Sequence, residues 1–248
     1  MKKLLILPLL LSLFAEAATL RVALAANVSY AMPELIAAFR KHHPDTQVQT
    51  TVSGSGKLAA QIRNGAPYDL FLSANMAYPQ ALHAAGVATG APRVYAQGAL
   101  ALLSDSPRDL TRGLRVLSDP AIAHIAVANP RTAPYGKAAF EALTSAKLLE
   151  ALRPKFVYGE SIAQTVAYTI HGADIGIIAK SALYAPQMRR YKAGSNWVDV
   201  DASLYRPIDQ GMVVLKASKN MAEAKALYDF LLSDEARAIF TRYGYRLP

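Results

Sequence analysis

Hydrophobic and polar positions along the chain follow two alternating periods. Short apolar runs, typical of buried strands, precede stretches whose apolar residues recur every three or four positions, as on one face of a helix. The predicted strands are residues 20–25, 48–52, 68–72, 125–128, 156–158 and 175–179. The predicted helices are residues 33–43, 58–64, 137–146, 162–171, 222–232 and 235–243. This alternation predicts α/β layers with largely parallel sheets.

Two further apolar stretches, residues 97–104 and 207–215, are candidates for strands that cross between two lobes. The apolar pattern does not by itself establish two lobes. A chain of 248 residues is long enough for one large domain or for two modest ones.

The N-terminus has the pattern of a secretory signal peptide. Lys2 and Lys3 precede an apolar run over residues 4–11, and Ala15-Glu16-Ala17 supplies a small-residue cleavage site. A buried N-terminal helix is the alternative, but Pro8 and the small-residue ending fit it poorly. We therefore expect residues 1–17 to be a signal peptide and the mature chain to be exported to the periplasm.

Composition and charge narrow the possible functions. The chain has no cysteine, which excludes disulfides, zinc–thiolate sites and cysteine nucleophiles. Its formal net charge of +9 favours anionic partners. The basic residues are scattered, with Arg189-Arg190 as the one adjacent arginine pair, so nucleic acid is not an expected partner.

Residues 50–62 read TTVSGSGKLAAQI, which partly matches a nucleotide-binding loop. A Walker A motif requires glycine where Thr51 stands and a hydroxyl residue where Leu58 stands, so both key positions fail. Two interpretations remain open for this stretch alone. Its glycines and serines cap a helix, or its free backbone N–H groups bind an anion at the helix N-terminus.

The same strand–turn–helix arrangement occurs four times. The turns are residues 26–29, 53–56, 132–136 and 159–161. In an open α/β sheet, ligands bind outside the carboxyl ends of the strands, where all four turns are expected to lie. Four such turns on a basic, exported chain predict a cage of neutral hydrogen-bond donors around an anion.

Four segments resemble the periplasmic molybdate-binding proteins of ABC importers, which are type II periplasmic binding proteins. They read AANVSYAM, SGSGKLAAQIRNGAPYDLFLSAN, ANPRTAPYGKAAFEAL and AKALYDFLLSDEARAIFTRYGY, in the family's order and spacing. The resemblance implies two α/β lobes, each a mostly parallel sheet flanked by helices, with the ligand in the cleft between them. One lobe comprises residues 18–95 and 206–248, and the other residues 96–205.

The resemblance also implies a set of ligand residues. The family's two serines correspond to Ser29 and Ser55, each offering a hydroxyl and an N–H group. Two backbone N–H donors correspond to Tyr135 and Ile162. A tyrosine that members of the family add to the cage is replaced here by Ala179.

The missing tyrosine leaves a gap in the expected cage. The phenol of Tyr135 is the foremost candidate to fill it, Asn27 and Lys180 are further candidates, and water is the alternative.

The implied function is that of a binding protein, not an enzyme, which captures molybdate and also tungstate through their oxygens. The resemblance further implies an ABC transporter permease as partner, a monomeric chain and no cofactor. The histidines lack HxxxH or HExxH spacing, so no direct metal-ion ligands are expected. A receptor for sulfate or another tetrahedral oxyanion is one alternative. A secreted serine hydrolase using Ser29 or Ser55 is another, although neither lies in a G-x-S-x-G motif.

Overall fold

The computed structural model describes residues 18–248, so the predicted signal peptide lies outside the described residues. The strands are β1 (Thr19–Ala25), β2 (Gln47–Ser53), β3 (Leu70–Ser73), β4 (Ala88–Gly98), β5 (Leu100–Leu103), β6 (Ile125–Ala128), β7 (Phe156–Gly159), β8 (Ile175–Ala179), β9 (Trp197–Asp199) and β10 (Ile208–Leu215). The helices are α1 (Met32–Arg40), α2 (Ser55–Arg63), α3 (Ala77–Ala84), α4 (Pro134–Ser145), α5 (Leu149–Leu152), α6 (Ile162–His171), α7 (Met221–Phe230) and α8 (Asp234–Arg242).

The strands form two five-stranded sheets, one in each lobe. Their orders are β2-β1-β3-β10-β4 and β7-β6-β8-β5-β9. In the first sheet, β10 runs antiparallel to both of its neighbours. In the second sheet, β5 runs antiparallel to both of its neighbours. The other strands of each sheet therefore share one direction. The predicted fold class, two α/β lobes with mostly parallel sheets, is confirmed.

The chain passes between the sheets twice. It leaves the first sheet at the end of β4 and enters the second with β5, and it returns between β9 and β10. Because β5 and β10 each follow a crossing, these two strands enter their sheets against the direction of the rest. Among residues 18–248, no helix is long and apolar enough to cross a membrane.

Two helices begin a full three residues earlier than their apolar periodicity predicts. Helix α2 begins at Ser55 instead of residue 58, and α4 begins at Pro134 instead of residue 137. The first turn of a helix can be built from small residues or proline, which carry no apolar periodicity. The difference matters because it places Ser55 and Tyr135 inside the first helical turn, where backbone N–H groups lack intrahelical acceptors.

Each lobe has its own apolar core, and the two cores meet at the carboxyl ends of the strands. The first lobe buries α1, α7 and α8 against β1, β3 and β10, with Phe39 and Phe240 fully buried. Ala25, Ala26 and Ala74 of the first lobe pack instead into the core of the second. These small side chains allow the two lobes to approach closely where the four turns converge.

Candidate functional site

A small cavity lies between the lobes where the turns meet. Its volume is about 10 Å³, close to that of one water-sized sphere. Its walls are Ala25, Ala26, Asn27, Gly54, Ser55, Ala74, Ala133, Pro134, Tyr135 and Ile162. None of these lining residues, all within the described part of the chain, carries a charged side chain. The cavity is therefore walled by small groups, backbone and neutral donors.

Ser55 is the first residue of α2 and is almost completely buried. Its Oγ accepts a hydrogen bond from the backbone N–H of Ala74 at 2.9 Å. A hydroxyl that accepts in this way still has its own hydrogen to donate. Ser55 therefore has both a hydroxyl and a first-turn amide available as donors at the cavity wall.

Tyr135 follows Pro134 in the first turn of α4 and is buried, with 1% of its surface exposed. Burial raises the pKa of its phenol well above the usual value, so the hydroxyl stays protonated. Asn27 Nδ2 lies 3.3 Å from the Tyr135 hydroxyl oxygen, which accepts this hydrogen bond. Its own hydrogen is not used in this bond, and the Tyr245 hydroxyl lies beside it as a second partner.

Ile162 is the first residue of α6 and is buried. The hydroxyl of the preceding Ser161 caps the helix by accepting from the Gln164 N–H at 3.3 Å. The amide of Ile162 has no acceptor within its own helix because it precedes the first i→i−4 bond. Glu160 is exposed and its carboxylate accepts from Asn129 at 3.3 Å, so this acidic group is not part of the cavity wall.

Asn27 is the cavity residue supplied by the turn after β1. It is completely buried, and its Nδ2 donates to Gln210 Oε1 at 2.7 Å and to the Tyr245 hydroxyl at 2.8 Å. Its Oδ1 has no hydrogen-bond partner among residues 18–248. In the sequence Asn27 was only a further candidate, yet it lies two positions after the end of β1, which is where a ligand-facing side chain is expected.

Ser29 and Lys180 do not line the cavity. Ser29 lies in a short 3₁₀ helix, where its hydroxyl donates to the Ala26 carbonyl at 2.7 Å. Lys180 Nζ forms an ion pair with Asp199 at 2.7 Å. Of the residues predicted from the sequence, the structure thus brings Asn27, Ser55, Tyr135 and Ile162 together. Ala179 is buried and also lies outside the cavity wall.

A wider groove, open to solvent, lies beside the cavity and is lined in part by Lys137, Glu141 and Arg206. Arg206 Nε donates to Glu141 Oε1 at 3.1 Å. Partial burial raises the pKa of this carboxyl, but the hydrogen bonds and charge of Arg206 outweigh it, so the pKa is lowered overall. Arg206 is thus already paired with a carboxylate, and the groove is open to solvent. The small cavity between the lobes is the better candidate site.

The electrostatics of the cavity favour a small anion. Helices α2, α4 and α6 all begin at its wall, and each helix N-terminus carries partial positive charge and unpaired N–H groups. Among residues 18–248, no cluster of three or more histidine, aspartate or glutamate side chains could hold a metal ion. The arrangement can bind an anion through neutral donors from both lobes.

Comparison with known proteins agrees with this geometry. The bacterial extracellular solute-binding protein family matches residues 20–246. A molybdate-binding protein of Azotobacter vinelandii is 38% identical over 96% of this chain and 94% of its own, and one of Rhodobacter capsulatus is 37% identical over 95% and 91%. The solved periplasmic molybdate-binding protein of Azotobacter vinelandii superposes with a TM-score of 0.86 at 33% identity, covering 92% of this chain and 99% of its own.

These matches confirm the resemblance that the four sequence segments indicated. The family consists of solute-binding proteins, so the serine hydrolase alternative is excluded and the protein is not an enzyme. With the match spanning residues 20–246, the chain belongs to the bacterial extracellular solute-binding protein family.

Proposed function

We propose that this protein captures molybdate, and also tungstate, in the cavity between the lobes and delivers it to an ABC importer. The observation that carries the proposal is the convergence of three helix N-termini on a cavity without charged side chains. The proposed donors are the amide and hydroxyl of Ser55, the amide and hydroxyl of Tyr135, and the amide of Ile162. The molybdate-binding relatives support this choice of ligand.

Neutral donors suit reversible capture of a dianion. Each hydrogen bond to a charged acceptor contributes about 1.5–3 kcal/mol. Several such bonds reach sub-micromolar affinity after the costs of desolvation and ordering are subtracted. No buried counter-ion remains behind when the anion leaves, so the empty site carries no uncompensated charge.

The phenol of Tyr135 is proposed to replace the tyrosine that the family has at position 179. It lines the cavity, it is protonated, and its hydrogen is not required by Asn27. In this arrangement the extra hydroxyl comes from the start of α4 instead of the end of β8.

A second candidate ligand is another tetrahedral oxyanion, and one observation favours it. The Oδ1 atom of Asn27 is a buried acceptor without a partner among the described residues. A singly protonated oxyanion such as hydrogen phosphate could donate its proton to this atom, whereas molybdate and sulfate have none to give. Sulfate would use the same donors as molybdate and differs from it in size.

We further propose that the protein works as a monomer in the periplasm, following removal of residues 1–17. The two lobes, with β4 to Gly98 belonging to the first, would separate to release the anion to a membrane permease. The relatives' descriptions as periplasmic or extracellular proteins support this location.

Isothermal titration calorimetry of the mature chain with molybdate, tungstate, sulfate and phosphate tests the proposal. We expect one molybdate per chain with sub-micromolar affinity, similar binding of tungstate, and much weaker binding of the other two anions. Tighter binding of phosphate or sulfate than of molybdate would show that the ligand is another tetrahedral oxyanion and not molybdate. No heat with molybdate or tungstate would overturn the proposal.

A further inference from the structure

Asn27 is held by buried polar side chains that do not themselves line the cavity. The first is Gln210 on β10, which is completely buried. Its Nε2 donates to the Ile208 carbonyl at 2.7 Å, which turns its Oε1 toward Asn27. Oε1 then accepts from Asn27 Nδ2 at 2.7 Å. The orientation of one amide therefore fixes the orientation of the other.

Tyr245, which follows α8 near the C-terminus, holds Asn27 from a second side. Its hydroxyl donates to the Asn27 carbonyl at 2.9 Å and lies 2.8 Å from Asn27 Nδ2. Because the hydroxyl hydrogen is used on the carbonyl, the oxygen acts as acceptor toward Nδ2. Burial raises the pKa of this phenol, so the bond pattern is unaffected near neutral pH.

The second lobe contacts Asn27 as well. Ser181 Oγ donates to the Asn27 carbonyl at 3.0 Å, and the Tyr135 hydroxyl is the third acceptor around Nδ2. Since Nδ2 has only two hydrogens for three acceptors, the short bonds to Gln210 and Tyr245 dominate, and the contact of 3.3 Å with Tyr135 is the weakest. Gln210 and Tyr245 therefore set the orientation of the Asn27 amide.

We propose that Gln210 and Tyr245 are positioning residues for oxyanion binding, acting through Asn27. They hold the turn after β1 and the side-chain amide of Asn27 in one orientation at the cavity wall. The inference rests on the proposed function, because it concerns the same site. It adds two residues that do not reach the ligand.

Tyr245→Phe tests the inference, and Tyr95→Phe is its matched control. Tyr95 is also buried, also packs on Phe240, and its hydroxyl donates to Ser73 O at 3.4 Å without reaching Asn27. Tyr245→Phe removes two short hydrogen bonds and Tyr95→Phe one longer one, so chemical denaturation should show both variants folded, with the larger loss of ligand-free stability in Tyr245→Phe. Tyr245→Phe should raise the Kd for molybdate about three- to tenfold above that of Tyr95→Phe.

A double-mutant cycle separates positioning from general damage. Gln210→Met should weaken molybdate binding in the wild-type background and have little further effect in an Asn27→Ala background. If Gln210→Met fails to fold, the comparison of Tyr245→Phe with Tyr95→Phe still decides the question. Equal molybdate affinity of those two variants would overturn the inference alone. A wild-type chain that binds neither molybdate nor tungstate would overturn the proposed function and this inference with it.

Discussion

The backbone N–H of Gly56, in the first turn of α2, donates to the carbonyl oxygen of Thr132 in the other lobe at 3.1 Å. Gly54, just before the helix, lies close to the same opposing loops, and a Cβ there would meet the Glu160 carbonyl at 2.9 Å. Residues 54–56 (GSG) thus bring the backbone of the first lobe into direct contact with the backbone of the second. The glycines that resembled a phosphate loop in the sequence permit this close approach.

Gly54→Ala is expected to weaken molybdate binding at least about tenfold without lowering the stability of the ligand-free chain. The added methyl would collide with the backbone of the second lobe, so it opposes the closed arrangement specifically. Substitution of Gly54 tests the contact between the lobes more specifically than substitution of Gly56, because a Cβ at Gly56 would also meet the Tyr78 hydroxyl of its own lobe at 2.7 Å. Calorimetry and thermal unfolding measure the two effects.

Gly172→Ala is the matched control for this substitution. Gly172 ends α6 with an extended φ of −173°, and its nearest neighbour for a Cβ is the Tyr168 carbonyl at 4.0 Å. The molybdate affinity of the Gly172→Ala variant should equal that of the wild type. Equal affinity of Gly54→Ala and wild type would contradict a role for lobe contact in binding.

Ser55→Ala should reduce the free energy of molybdate binding by about 1–3 kcal/mol, because it removes a hydroxyl donor at the cavity wall. Ser29→Ala should have a much smaller effect, since that hydroxyl is bonded to the Ala26 carbonyl. Calorimetric titration of both variants checks the contrast. A larger loss for Ser29→Ala than for Ser55→Ala would mean that the turn after β1 binds the anion differently.

Much of the fold was predictable because its elements carry clear apolar periods. The buried strands β1, β3, β6 and β8 and the amphipathic helices α1 and α6 all lie close to their predicted positions. Strand β4 was missed because Gly90, Pro92 and the exposed Arg93 interrupt its pattern. Helix α3 was missed because Pro79 lies within it.

Only the site residues that lie at the start of a helix could be predicted with their ligand-binding groups. Ser55, Tyr135 and Ile162 follow buried strands at turn residues, so their amides could be identified from the sequence. Asn27 and Ser29 lie in the same turn after β1. Which of the two side chains faces the cavity depends on where the 3₁₀ helix begins, because a shift of two positions turns a side chain away from the cavity. Gln210 and Tyr245 could not be found, because their partner Asn27 is 183 and 218 positions away.

Molybdate affinity should remain constant between about pH 7 and pH 9. An exposed tyrosine ionises near pH 10, and burial raises the pKa of Tyr135 well above that, so its hydroxyl continues to donate. Titrations across this range with wild type and Tyr135→Phe measure the contribution of the phenol. A loss of affinity that sets in below pH 9 in the wild type and is absent in Tyr135→Phe would contradict the assignment.

The stability of the second lobe should depend on Asp174 in acid. Its carboxylate accepts from the backbone N–H groups of His124 at 2.8 Å and Ala123 at 2.9 Å, and these bonds lower its pKa, with Arg108 nearby adding to the effect. A lowered folded-state pKa stabilises the fold above the unfolded value of about 3.9. This stabilisation is lost as the pH falls through the folded pKa.

Asp174→Asn is therefore expected to reduce the free energy of unfolding by about 1 kcal/mol at pH 7. The difference from wild type should shrink as the pH falls below about 4. Denaturant titrations at several pH values check this, with exposed Asp45→Asn as the control. A difference that persists undiminished in acid would show that packing, not charge, causes the loss.

The most direct measurement is a crystal structure of the chain grown with molybdate, with the metal located by its anomalous scattering. We expect one molybdate in the cavity between the lobes. Its oxygens should lie within about 3.2 Å of the Ser55 and Ile162 amides and the Tyr135 hydroxyl. A molybdate bound elsewhere, or one in the cavity with the Tyr135 hydroxyl out of reach, would contradict it.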